Sequence, residues 1–281
     1  MDFRIKTRVK DFGKAVKAQI YIMYYKPGRI LPLGDFYQPL FCGQFEGKEK
    51  LEGLKDDLGE NISSKNEFYS ELTGTYWAWK NTHQDIIGVC HYRRYFTAQP
   101  EPWYLKLKYF ITHPFKVQKG PNPLLYTNNV KKYLPRILTE GEALEILNDY
   151  DVVLPTARRF RYSIHTHYTK YHDIRDMDVV SEILKEKFPD YSKTWEKVLA
   201  GNVLYANNMF IMKNELFQKF MDWWFEMLFE FEKRENLESY QGYQRRILGF
   251  VAERLLTLWM IHHELKIKEL KLIYFKKFKN H

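Results

Sequence analysis

The run Ile86-Ile87-Gly88-Val89-Cys90 is entered from Asp85 and breaks abruptly into His91-Tyr92-Arg93-Arg94. A short apolar run without polar alternation reads as a strand buried on both faces, the pattern of a parallel sheet covered by helices. That feature confines the chain to layered α/β architectures. Residues just past the carboxyl end of such a strand occupy the crevice where open α/β sheets bind ligands. Two adjacent guanidiniums there favour an anion such as a diphosphate. The competing reading is a surface pair neutralised by nearby acids.

The same rhythm extends along the chain. Gln19–Tyr25 reads as a first strand, closed by the turn signal Lys26-Pro27-Gly28. Ser64 and Glu67 have the Ser-x-x-Glu spacing of a capping box. That spacing predicts a helix running to about Asn81, with Phe68, Leu72, Tyr76 and Trp79 on one face. Glu71 belongs to neither apolar stripe of that helix, and reads as a solvated or paired side chain or as a site group. A helix is expected over 139–150, then a short buried strand over 151–155 whose exit carries Arg158, Arg159, Arg161, His165, His167, Tyr168 and His172. Further helices are expected near 179–188, 214–233 and 240–265. Strands are expected at Met209–Met212, entered through Asn207-Asn208, and at 270–275. The expected fold is α/β, a mostly parallel central sheet flanked by helices. Residues 97–136, rich in proline, break the rhythm and read as a basic-aromatic insertion within one domain over 18–275. Basic segments flank it at 1–17 and 276–281.

Charge narrows the partners. The formal net charge is +9, and the excess is concentrated at residues 1–17, at 102–136, where no acid occurs, and in the last sixteen residues. Each stretch interleaves its bases with aromatics, a composition suited to an anionic bilayer surface. Nucleic acid with stacked bases and a plain solvated surface are the alternatives. No segment approaches a membrane-spanning run, and the first residues lack the apolar stretch of a secretion signal. Cys42 and Cys90, without metal-ligand spacing, suggest reduced thiols and a cytoplasmic setting.

Sugar transfer from a nucleoside diphosphate requires the leaving diphosphate to be neutralised and the acceptor hydroxyl to be positioned and deprotonated. Many such enzymes use a metal held by Asp-x-Asp after a strand. Asp149-Tyr150-Asp151 precedes its strand, and Asp176-Met177-Asp178 precedes a helix, where aspartate caps free N–H groups. A metal-independent site is therefore expected, with Mn or Mg as the alternative. His165, His167 and His172 lack the spacing of a zinc site and read as polar contacts to sugar or phosphate, or as ordinary histidines. The signatures of phosphate-loop ATPases, α/β-hydrolases and zinc proteases are missing.

The strings Asp56–Ser63, Tyr69–Asn81, Ile87–Phe96 with its His-Tyr-Arg-Arg-Tyr-Phe core, Asn207–Met212 and Tyr243–Leu255 carry a resemblance. Together they resemble a bacterial family long catalogued as a domain of unknown function, found in capsular, exopolysaccharide and O-antigen gene clusters and regarded as glycosyltransferases. One departure is Asn207-Asn208, where relatives often have Tyr-Asn. The resemblance covers roughly 18–275 and implies a GT-A-like nucleotide-diphospho-sugar transferase. It implies a UDP-sugar donor, with UDP-galactofuranose a candidate, and a polyprenyl-diphosphate-linked glycan acceptor at the inner face of the membrane. On this reading Tyr25, Lys26, Asp57 and Asn61 lie near the nucleotide, and Arg93 and Arg94, helped by His91, hold the diphosphate. His165, Asn207, Asn208 and Gln244 contact sugar or acceptor, and Glu71, His172 and Asp178 are candidate bases. A non-catalytic glycan- or membrane-binding protein on a degenerate transferase fold is the rival. Nucleic acid is not expected as a partner.

Overall fold

The computed structural model describes residues 16–25, 29–43, 53–103, 111 and 123–278. Lys26, nearly all of the amino-terminal basic segment, much of the proline-rich stretch and residues 279–281 lie outside them. The described chain runs β1 (Ala18–Tyr24), β2 (Tyr37–Phe41), α1 (Asn66–Tyr69), α2 (Leu72–Asn81), β3 (Ile86–His91), β4 (Arg94–Thr97) and β5 (Leu124–Thr127). It continues with α3 (Val130–Tyr133), α4 (Glu140–Asp149), β6 (Val152–Pro155), β7 (Arg158–Arg159), α5 (Ile164–Tyr171), α6 (Arg175–Lys187) and α7 (Ser192–Ala200). The last elements are β8 (Val203–Leu204), β9 (Phe210–Lys213), α8 (Asn214–Arg234), α9 (Ile247–His262) and β10 (Ile267–Phe275).

β1 lies between β2 and β3 and is parallel to both. β3 pairs antiparallel with β9 along its first four residues and with β4 at its end. β6 sits between β9, antiparallel, and the first half of β10, parallel. The second half of β10 pairs antiparallel with β4 and parallel with β5. The sheet is therefore mixed rather than mostly parallel, because β4 folds straight back from β3 and β9 runs against both of its neighbours. A tight turn can join antiparallel strands, whereas parallel neighbours need a long crossover. β7 and β8 form a separate antiparallel ribbon.

The central strands are buried on both faces, as their unbroken apolar character requires. Ile20, Ile22 and Tyr24 of β1 enter one core with Cys90, Val153 and the α4 residues Ala143 and Leu147. Tyr21 and Met23 face the other core, built from α2, α8 and α9 with Ile87 and Val89. Gly88 sits where a Cβ would lie 2.8 Å from Ile20 Cγ1 and 3.0 Å from Ile211 Cγ1, so the flanking strands leave no room for a side chain. Cys42 and Cys90 are buried and form no disulfide.

Several sequence expectations change. The helix expected from Ser64 to Asn81 is broken at Ser70, whose φ of 51° interrupts the ladder between α1 and α2. The Ser64–Glu67 capping box does not form. Ser64 lies in a 3-10 turn without a side-chain cap, and Glu67 pairs instead with Arg245 at 2.6 Å. A capping box does close α4, between Thr139 and Glu142. Leu124–Thr127, inside the stretch read as an insertion, is a strand of the main sheet. α6 starts at Arg175, four residues earlier than expected, so Asp176 and Asp178 lie within its first turn. Among the described residues no helix is long and apolar enough to cross a membrane.

Candidate functional site

A cavity of about 440 Å³ opens beyond the carboxyl ends of β3 and β6, beside the entry to β9. Glu71 at the start of α2, His91 at the end of β3, Arg94 at the start of β4 and Arg158 of β7 form part of its wall. α5 and its cap add His167, Tyr171 and His172, and the turn into β9 adds Asn207 and Asn208. The 3-10 turn Gly242–Arg246 and α9 add Tyr243, Gln244, Arg246, Phe250, Glu253 and Arg254, and β8 adds Leu204. Four arginines face two carboxylates, so the wall is cationic overall.

The two arginines of the His-Tyr-Arg-Arg string part company. His91 and Arg94 are cross-strand partners flanking a two-residue turn, and both line the cavity. Arg93 is in the turn and stays outside the lining, its guanidinium 4.9 Å from the Tyr92 ring and 3.4 Å from the Lys276 carbonyl. Tyr25, exposed at the end of β1, meets Tyr92 edge-on at 5.2 Å. It therefore lies at the same carboxyl end of the sheet as Arg93 and, like Arg93, is outside the cavity lining. Arg94 has no carboxylate partner among the described residues, and neither does Arg158. The Arg94 guanidinium bonds to His91 Nδ1 at 3.3 Å and lies 5.3 Å from the Tyr274 ring.

The other two arginines are committed. Arg246 donates to Glu71 Oε2 at 3.0 Å and to Ser70 Oγ at 2.9 Å. Arg254 is fully buried, bonded to Glu253 at 3.1 Å and to the Phe250 carbonyl at 2.9 Å, and stacked over Tyr168. Burial lowers its pKa, and Glu253 opposes that shift. Glu253 also accepts from the Asn207 amide at 2.7 Å, which ties α9 to the turn into β9. Asn207 and Asn208 have φ of 82° and 48°. Asparagine tolerates this left-handed region better than most residues, yet two in succession store strain of the kind that clusters at functional sites. Asn208 donates from Nδ2 to Glu71 Oε1 at 3.2 Å and to the Gly249 carbonyl at 3.1 Å. Burial would raise the Glu71 pKa, but the Arg246 charge, the bond from Asn208 and, where it is protonated, the His91 ring outweigh it and hold it below the usual value. Glu71 is thus an ionised organiser of the wall and, with a depressed pKa, a weak base.

The histidines supply the proton chemistry. Arg94 can only donate, so its contact fixes Nδ1 of His91 as an acceptor and leaves the proton on Nε2. That buried Nε2–H finds no partner of hydrogen-bond geometry among the described residues, although the Asn207 backbone is near enough to favour the charged ring. Burial, against the pull of Glu71, drives the His91 pKa down to about 4. His172 holds the opposite tautomer. Gln244 Nε2 donates to the Tyr171 carbonyl at 2.9 Å, which orients its Oε1 toward His172 Nδ1, also at 2.9 Å. An amide oxygen only accepts, so Nδ1 bears the proton and Nε2 carries the lone pair. Tyr168 and Phe250 pack against the ring at 4.6 and 4.2 Å. Burial lowers the His172 pKa, so the ring is neutral at pH 7. The cavity thus pairs one histidine donor with one histidine acceptor.

The fold gathers Glu71, His91, Arg94, His172, Asn207, Asn208 and Gln244 from the residues the sequence singled out. It leaves others apart. Asp178 is exposed on α6, and Asp176, its buried neighbour, is occupied by the hydroxyls of Tyr168 and Tyr240 at 2.7 and 2.6 Å. His165 is exposed because the helical repeat turns His167, not His165, toward the cavity. Asn61 is spent on its own loop, donating to the carbonyls of Asp57 and Gly59, and Asp57 lies in the same loop away from the lining. Lys26 is outside the described residues. Sequence reasoning missed Tyr243, Arg246, Glu253 and Arg254. Their signal was the charged pair Glu253-Arg254 in the otherwise apolar helix α9, with Arg246 seven residues earlier at its amino-terminal cap. Among the described residues no three His, Cys, Asp or Glu side chains cluster as a metal site. Of the carboxyl-terminal aromatics, Phe275 is buried and Phe278 packs on the core.

Comparison with known proteins bears on this arrangement. No curated protein sequence matches the chain. The solved apo structure of the WbbM bifunctional glycosyltransferase is similar, with a TM-score of 0.80 at 26% identity over 93% of this chain. The match covers 46% of that chain, so this one spans less than half the length of its structural relative. Residues 19–264 match the family described as a domain of unknown function, DUF4422, and the chain belongs to that family.

Proposed function

We propose that the chain is a glycosyltransferase moving a sugar from a UDP-hexose, UDP-galactofuranose being one candidate, to a lipid-linked glycan. The observation that carries this reading is a cavity where uncommitted arginines share a wall with a neutral, tautomer-fixed histidine. Similarity to a bifunctional glycosyltransferase supports the class. The nucleoside lies along the edge formed by Tyr25, Tyr92 and Arg93, and the diphosphate reaches Arg94 and Arg158. A phosphate charge about 4 Å from an unpaired guanidinium gains about 4 kcal/mol at the effective dielectric near a protein surface. Those side chains take over the role a divalent cation plays elsewhere, so transfer is metal-independent. His91 donates from Nε2 to a phosphate or sugar oxygen.

In the reacting complex the acceptor hydroxyl oxygen attacks the anomeric carbon and the bond from that carbon to the diphosphate breaks. His172 Nε2 takes the hydroxyl proton, and UDP leaves with the electron pair, stabilised by Arg94 and Arg158. Gln244 holds the His172 tautomer throughout. The acceptor is a glycan on a polyprenyl diphosphate, and the basic side chains of the segments at 1–17, 102–136 and 276–281 hold the enzyme to the anionic inner face of the membrane.

The test is mass spectrometry of products after incubation with UDP-sugars and lipid-linked acceptors, together with thermal shift by UDP with and without EDTA. The reading expects a glycosylated product and UDP stabilisation that EDTA leaves unchanged. No product with any donor, or stabilisation that requires manganese, refutes it.

A further inference from the structure

Two of the nine large, exposed hydrophobic side chains among the described residues line this one cavity: Tyr171, 58% exposed, and Tyr243, 66% exposed. An exposed aromatic usually needs no explanation, but two at the mouth of one polar cavity mark a binding surface. They are built in. Gln244, next to Tyr243, donates to the Tyr171 carbonyl at 2.9 Å, so the amide that sets the His172 tautomer also draws the two tyrosines together. Behind Tyr171 the His167 ring lies 5.0 Å away and is itself stacked on Phe160 at 4.0 Å. Behind Tyr243 stands Phe250, at 5.2 Å, which also packs on His172. Each ring thus leans on a second ring, which limits its freedom and the entropy lost on binding.

We infer that Tyr171 and Tyr243 form the subsite for the acceptor glycan, gripping the sugar ring whose hydroxyl is presented to His172. The inference rests on the transferase reading. Charge distribution selects the occupant. The arginines without carboxylate partners among the described residues come from β4 and β7, whereas Arg246, whose guanidinium lies 6.0 Å from the Tyr243 ring, is paired with Glu71. The tyrosine side is therefore a poor diphosphate site and a good one for a neutral ligand. A flat apolar face with a hydroxyl at its tip matches a sugar ring, which presents C–H groups on its faces and hydroxyls at its rim. Continuity with His172 makes that sugar the acceptor rather than a remote anchor.

The experiment uses the full chain, with Tyr171→Ala, Tyr243→Ala, the double variant and the matching Phe variants. Each is applied with saturating UDP to a printed array of bacterial surface glycans, and UDP affinity is measured separately by calorimetry. The subsite predicts glycan binding by the wild type that falls about tenfold for each Ala change and is largely retained with Phe. UDP affinity stays within about twofold throughout, which also reports that each variant is folded. Equal glycan binding by the wild type and the double Ala variant overturns the inference, as does no glycan binding by a UDP-competent wild type. A comparable loss of UDP affinity in the Ala variants assigns the rings to the nucleotide instead and equally overturns it. Absence of UDP binding by the wild type sinks the transferase reading, a separate outcome.

Discussion

Lowering the pH isolates His91, the most buried histidine of the cavity. Burial holds its folded pKa at about 4, against 6.5 for the ring in water. Between those values the unfolded chain binds a proton that the native chain refuses. The contribution is fully present above about pH 6.5 and is lost progressively as pH falls toward 4. At about pH 5 the differential amounts to about 2 kcal/mol, and the whole shift is worth roughly 3. His167 and His263 are likewise pushed down to about 4 by burial, so the total acid sensitivity belongs to several rings. The informative measurement is therefore a comparison of slopes. Asn at position 91 keeps an acceptor near the place of Nδ1, facing Arg94, but does not titrate. Guanidinium unfolding of wild type and His91→Asn at pH 7 and pH 5 should show the variant less stable at pH 7, yet losing about 2 kcal/mol less on acidification. Parallel pH dependence in the two proteins would refute the argument. So would an NMR titration of His91 near 6.5, because either means that the ring is solvated.

Other consequences follow from the same geometry. Arg94→Ala should weaken UDP binding about 10- to 100-fold, the worth of a charge-assisted bond, while Arg93→Ala changes it by about threefold or less; calorimetry with UDP separates the two, and equal losses would contradict the split across the turn. His172→Ala should lower kcat by about 10² to 10⁴ with UDP affinity preserved, and Gln244→Ala should shift the pH–rate profile by freeing the tautomer. Gly88→Ala should cost about 1–3 kcal/mol in chemical denaturation, from the close contacts with Ile20 and Ile211. Asn208→Ala loses two buried bonds and a tolerated left-handed conformation, about 2–4 kcal/mol; Asn208→Gly keeps the conformation and should cost less.

Much of the framework was legible because it is written in local periodicity. The unbroken apolar runs of β1, β3 and β6 announce strands buried on both faces, and the stripe through Leu72, Tyr76 and Trp79 announces a helix. The same logic found the crevice, since the residues ending β3 and entering β9 meet at one end of the sheet. Strand direction was not legible. The two-residue turn after His91 and the antiparallel course of β9 follow from long-range pairing, and runs of apolar residues look alike in either direction.

The sequence by itself determined the layers, the apolar faces and an Asp-x-Asp-poor, arginine-rich strand end, because those depend on residue type and spacing over a few neighbours. Tertiary structure decided which charges count. Arg93 and Arg94 are adjacent in the chain, yet the turn sends only Arg94 into the cavity. Glu71 became part of the wall because Ser70 breaks the helix just before it. Arg246 reaches it from 175 residues away. Burial then sets the pKa values and hydrogen bonds fix the histidine tautomers, and these depend on what surrounds a side chain rather than on what precedes it.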